Sequence, residues 1–246
     1  QIMAGVKLTQ LSKQYQVAGQ PLEAVDNVTT TIEPGSFTVI VGRSGCGKTT
    51  LLRLLSGLEQ KSAGSIEWLG GGSGGAAVKV GVVFQEPRLM PWLTVYENMA
   101  FALDKQPDRT LVDRQVTGTL EQLGLAGFRD AYPSQLSGGM AQRVSLGRTL
   151  CYDPDLILMD EPFGALDYFT RKKLQRELVD LFLSQHKTIV FVTHDVTEAV
   201  FLGQKVLVME AGQIVREIPI DTPYPRQATD PSLLARQQEI LAALEN

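Results

Sequence analysis

The segment Gly42-Arg43-Ser44-Gly45-Cys46-Gly47-Lys48-Thr49 has the residue types and spacing best suited to chemistry. It spells G-x-x-x-x-G-K-[ST] between a β-branched run at 38–41 and a leucine-rich helical stretch at 49–57, the setting in which this spacing forms a phosphate-binding loop. Glycines let the chain wrap a phosphate closely, so that successive backbone N–H groups face its oxygens. A helix starting near Lys48 adds the positive end of its dipole. Lys48 is expected on the β- and γ-phosphates of a nucleoside triphosphate, the Thr49 hydroxyl on Mg²⁺, and Thr50 beside them in the first turn. Arg43 adds positive charge near the nucleotide, and Cys46 sits between two glycines where a small residue suffices.

A second cluster ends the apolar run 156–159, where Asp160 and Glu161 stand side by side. Two carboxylates at a strand end are costly to bury unless a cation is near. Combined with the phosphate loop, they read as a Mg²⁺ holder (Asp160) and a general base that polarises the attacking water (Glu161).

These residues need a scaffold. With 246 residues, 43% of them apolar, the chain can build one large α/β domain or a core with an insert. Runs 38–41, 80–84, 156–159, 188–192 and 206–209 read as strands, separated by helical stretches. That alternation argues for a mostly parallel sheet flanked by helices. Between about 87 and 153 strong strand runs stop and apolar residues recur at helical spacing (Val112, Val116, Leu120, Leu123), which marks an inserted helical subdomain. The glycine-rich stretch 70–75 reads as a loop or hairpin tip. From Asp230 onward, Leu233, Leu234, Ile240, Leu241 and Leu244 outline an amphipathic helix docked on the body or on a partner.

A net charge of −4 gives no footprint for nucleic acid. No apolar run reaches the length of a membrane span, and no export signal opens the sequence. The two cysteines, Cys46 and Cys151, are expected to be reduced thiols of a cytoplasmic chain.

At Leu136-Ser137-Gly138-Gly139, followed by Gln142-Arg143, the sequence resembles one family, the ABC-type ATPases. Ser137 with Gly138 and Gly139 before a helix makes a second anion site; the resemblance implies that it serves ATP held by another subunit, so that two copies sandwich two nucleotides. Met140 stands where the family's signature has glutamine, which leaves the backbone site intact. The match runs from about residue 6 to 219. It implies that Tyr15 stacks on adenine, that Gln85 touches Mg²⁺ and the attacking water, that Ala165-Leu166-Asp167 crosses the dimer interface, and that His194 contacts the γ-phosphate. It also implies a RecA-like P-loop core (1–86 and 154–229) with an N-terminal antiparallel β region, an α-helical subdomain at 87–153, and a helical tail at 230–246.

The implied activity is ATP hydrolysis that drives transport through separate permease subunits, from a peripheral position on the cytoplasmic face of the plasma membrane. The resemblance places permease contact near Gln85 and residues 86–92; Leu89, Met90 and Trp92 suit such a contact, and packing into the subdomain core is the equal alternative for them. The stretch 161–171 and Pro91-Trp92 look like importers of nitrate, sulfonates and taurine, which also need a solute-binding protein. An exporter or lipoprotein-release ATPase and a non-transport ABC ATPase stand as the rival readings.

Overall fold

The computed structural model describes residues 3–70 and 77–245, so the glycine run falls, from residue 71 on, outside the described residues. Strands β1 (Ala4–Val17) and β2 (Gln20–Ile32) form an antiparallel hairpin. Its turn places Ala18 and Gly19 both at positive φ, the twist that suits a two-residue connection. β3 (Phe37–Val41) leads into the phosphate loop and α1 (Lys48–Leu55), and β4 (Ala63–Gly70) then pairs with β1 to complete a three-stranded sheet in the order β2-β1-β4.

A six-stranded sheet has the order β5-β6-β7-β3-β8-β9, with β5 (Val80–Val83), β6 (Leu156–Asp160), β7 (Thr188–Thr193), β8 (Lys205–Glu210) and β9 (Gln213–Pro219). The first five strands in that order run parallel and correspond to the five apolar runs. The antiparallel edge strand β9 was not expected, because Gln213-Ile214-Val215-Arg216-Glu217 neither alternates nor carries a sustained apolar run. Side chains alternate across the sheet as pleating requires. Val39, Ile157, Phe191 and Val208 enter one core, whereas Ile40, Leu158, Val192 and Leu207 enter the other. α1 and the antiparallel sheet cover the second core, and α5 (Tyr168–Gln185), α6 (Val196–Leu202) and α7 (Pro231–Glu245) cover the first.

Segments α2 (Val95–Ala100) and α3 (Arg109–Gln122) share a third cluster with α4 (Gly138–Cys151), and Val112, Val116, Leu120 and Leu123 are all buried in it. α4 also bridges to the sheet, since Leu150 belongs to the first core. α7 docks on the body, burying Leu233 and Ile240 beside α6 and leaving Leu234 and Leu241 exposed. Burial of those two side chains stabilises the docking by about 1.5–3 kcal/mol each.

Candidate functional site

Four neighbouring strands deliver the chemistry at their carboxyl ends, where open α/β sheets bind ligands. β3 ends in the phosphate loop, β5 leads to Gln85, β6 ends in Asp160 before Glu161, and β7 precedes His194. Because β5, β6, β7 and β3 are adjacent in the sheet, residues more than a hundred positions apart converge.

The loop closes around backbone atoms in a way that only glycine permits at two positions. Gly47, the N-cap of α1, has φ 106°, and a Cβ there would collide with the Ala24 carbonyl. A Cβ on Gly42 would strike the Met209 carbonyl. Lys48 is buried, and its ammonium donates to the carbonyls of Gly42 (2.8 Å) and Arg43 (2.9 Å). Those two bonds hold the cation under the loop. Cys46 is buried, and its carbonyl accepts from Gly212 N–H.

A cleft of about 560 Å³ opens over this loop, within the range of small-molecule sites. Tyr15, Ser44, Gly45, Gly47, Lys48, Thr49, Thr50, Gln85, Asp160 and Glu161 all line it, so most of the expected residues meet there. Gly42, Arg43 and Cys46 shape the loop without lining the cleft, and the exposed Arg43 side chain lies outside the lining. Leu22 and Ala24 of β2 also line it, which no motif announced. At the Tyr15 end, the phenol donates to Glu59 Oε2 at 3.2 Å and the Lys13 ammonium lies 4.8 Å from the ring centre, which fixes the ring plane.

The carboxylates sit differently. Thr49 Oγ1 donates to Asp160 Oδ1 at 3.1 Å. Burial pushes the Asp160 carboxyl above its usual range; the Thr49 bond opposes that shift and neighbouring Glu161 adds to it. Glu161 adopts a left-handed backbone (φ 45°) while its N–H still donates to Val192 O, so the chain turns sharply out of the strand. Its Oε2 lies 2.9 Å from His194 Nδ1. His194 does not line the cleft; it reaches the cleft wall through Glu161.

Ser137, Gly138 and Gly139 lie outside this cleft. Ser137 caps α4 by accepting from the Met140 N–H at 3.3 Å, and the Met140 side chain packs into the helical cluster. α4 also holds the segment around Gln85. Gln142 donates to the Phe84 carbonyl at 3.1 Å, and Arg148 donates to the carbonyls of Pro87 and Arg88. The two readings of Leu89, Met90 and Trp92 divide between them. Trp92 is 72% exposed, but Met90 is half-buried and Leu89 packs on the helical cluster to which α2 contributes Val95 and Met99.

Motif reasoning missed Asp195, Glu198 and Gln175: the first two share a small cavity with His194 and Arg171, and Gln175 donates to Glu198. Asp195-x-x-Glu198 is a helix-start pattern that could have revealed the first two.

The ABC transporter family matches residues 25–164. The aliphatic sulfonates import ATP-binding protein SsuB of Bacillus subtilis (strain 168) is 40% identical over 235 residues, covering 95% of this chain and 91% of the relative. SsuB 1 of Pseudomonas syringae pv. syringae (strain B728a) is 45% identical over 216 residues, covering 87% and 86%. The dimeric structure of MJ0796, described as a bacterial ABC transporter cassette, superposes with a TM-score of 0.77 at 30% identity, covering 89% of this chain and all of that one. A post-hydrolysis dimer of the same cassette with ADP and Pi superposes equally well.

Proposed function

The chain belongs to the ABC transporter family, and we propose that it hydrolyses ATP in a paired-subunit cassette to energise import of a sulfonate-like solute through separate permease subunits. The observation that carries the reading is the convergence of Lys48, Thr49, Gln85, Asp160 and Glu161 on one cleft over the phosphate loop. Its family makes the chain an ATPase that binds ATP and ADP. The role of each residue in that chemistry is our assignment.

The backbone N–H groups of residues 44–49 and the start of α1 receive the phosphates. Lys48, already aligned under the loop, turns from the Gly42 and Arg43 carbonyls to the β- and γ-phosphate oxygens. The Thr49 hydroxyl and Asp160 carboxylate are hard oxygen donors 3.1 Å apart with Gln85 in the same cleft, a set that would hold Mg²⁺. Bound there, Mg²⁺ would neutralise charge on the phosphates. Glu161 takes the proton of the attacking water as the bond from the γ-phosphorus to the ADP oxygen breaks, and His194 holds the carboxylate's orientation. Tyr15 offers its ring to the adenine.

Ser137 with Gly138 and Gly139 stands at the start of α4, away from the cleft, so its anion site suits a nucleotide presented by a second ATPase subunit. ATP that touches both subunits closes the pair, and hydrolysis reopens it. Among the described residues no helix is long and apolar enough to cross a membrane. In this reading separate permease subunits carry the solute, with the chain peripheral on the cytoplasmic side. A groove of about 580 Å³ shares Thr49, Gln85 and Asp160 with the cleft; beyond those residues, its Glu86 and Arg88 together with exposed Trp92 offer the docking place. A solute-binding protein supplies recognition.

The test is uptake by vesicles holding the chain with its permease and binding protein. ATP-dependent entry of ethanesulfonate supports the reading, and vesicles that take up other solutes but no sulfonate contradict it.

A further inference from the structure

Behind the Glu161–His194 pair lies a polar network that no step above uses. Arg171, Asp195 and Glu198 line one small cavity with Glu161 and His194. Glu198, 4% exposed, accepts from Gln175 Nε2 at 2.8 Å. Thr193 Oγ1 accepts from the Asp195 N–H at 3.0 Å. Asp195 Oδ1 caps α6 by accepting from Thr197 and Glu198 N–H, while its Oδ2 lies 3.8 Å from Arg171 Nη1. Both chain neighbours of His194 are therefore fixed.

Arg171 is the outward end of this network. Its Nη2 donates to the Leu166 carbonyl at 3.1 Å, and its Nε is buried without a partner. Leu166 sits in an exposed turn beside Tyr168 and Phe169, which are 65% and 81% exposed. A guanidinium presents its donors in a rigid fork, so a shift of the Leu166 carbonyl re-aims the arm that faces Asp195. At 3.8 Å and part-exposed, the Arg171–Asp195 pair adds little to stability by itself. Retaining an orphaned N–H here is better explained by geometry than by energy.

We propose that Arg171 is a positioning residue for hydrolysis, tying the exposed turn at Leu166 to Asp195 and so setting His194 against Glu161. The inference rests on the assignment of Glu161 and His194 to the hydrolytic step. It makes turnover, rather than ATP binding, sensitive to whatever contacts the turn at 165–169.

Steady-state phosphate release by the full chain tests it, using R171A, R171K, H194A and the R171A/H194A double variant, with thermal unfolding as a check on folding. R171A is expected to lower kcat about tenfold or more while KM for ATP stays within about twofold. H194A should cost several-fold less in the R171A background than in the native one, the mark of residues acting as a unit. If R171A does not fold, R171K carries the test, because lysine keeps the charge but cannot reach both Leu166 and Asp195; its kcat should still fall at unchanged KM. Unchanged kcat in R171A or R171K, or losses that multiply independently, overturns the proposal and leaves the hydrolytic assignment standing. Unchanged kcat in H194A alone removes His194 from the step, and the positioning role falls with it.

Discussion

His194 Nδ1 lies 2.9 Å from Glu161 Oε2, joining residues at the ends of two neighbouring strands. The histidine side chain is 59% exposed and the glutamate 21%, so the ring shields one side of the carboxylate. The left-handed turn at Glu161 makes this meeting possible, because a residue continuing the strand would point into a core. With the proton on Nδ1, the ring donates to the carboxylate and leaves its other oxygen for water.

Lys48→Met should weaken ATP binding by about tenfold or more, since a charge-assisted contact to the phosphates is lost. The apo protein should also lose stability, because the Gly42 and Arg43 carbonyls lose their donor. Isothermal titration with ATP and thermal unfolding without it check the two effects separately.

Glu198 gives a pH signature. Burial holds its carboxyl above the ordinary range; Asp195 pushes the same way, while Thr193, Gln175 and Arg171 oppose it. The folded chain thus binds this proton more tightly than the unfolded chain. The group's stabilising contribution is full below the unfolded value of about 4.5 and is lost as pH rises through the folded value. Glu198→Gln should therefore gain in melting temperature relative to the native chain between about pH 4 and pH 7. A difference that does not change across that range would contradict this.

Arg226 is 7% exposed and donates to the carbonyls of Val200, Phe201, Gly203, Ile220 and Thr222, with Tyr224 stacked 4.1 Å from its centre. Burial pushes the Tyr224 phenol up to about 12, so the ring stays neutral and its hydroxyl donates to the Leu202 carbonyl. Arg226 thereby closes the end of α6 against the segment that leads to α7. Arg226→Met should destabilise the chain by about 3 kcal/mol, because several buried carbonyls lose their donor together. Urea unfolding measures it.

Local sequence carried much of this structure, and long-range pairing carried the rest. The phosphate loop, the strand ending at Asp160 and the helical face at 112–123 were legible because their cues lie within one element: glycine spacing, an apolar run, a 3.6-residue period. Tyr15, Gln85 and His194 gave no such cue alone and were placed by their order in a family series. Leu22 and Ala24 were invisible because they reach the cleft only through the register of the N-terminal hairpin. Strand β9 escaped because an edge strand with one wet face carries few apolar residues. Leu89 stayed open between surface and subdomain core because its partners in the helical cluster come from α2 and beyond.

The most direct test is phosphate release and sedimentation with Mg²⁺-ATP for the native chain and for Glu161→Gln. The native chain should hydrolyse ATP, and the variant should lose turnover by about a hundredfold or more while ATP holds it as a dimer. A variant that hydrolyses at the native rate, or binds ATP without pairing while the native chain pairs, would contradict a Glu161 base working in a two-subunit sandwich.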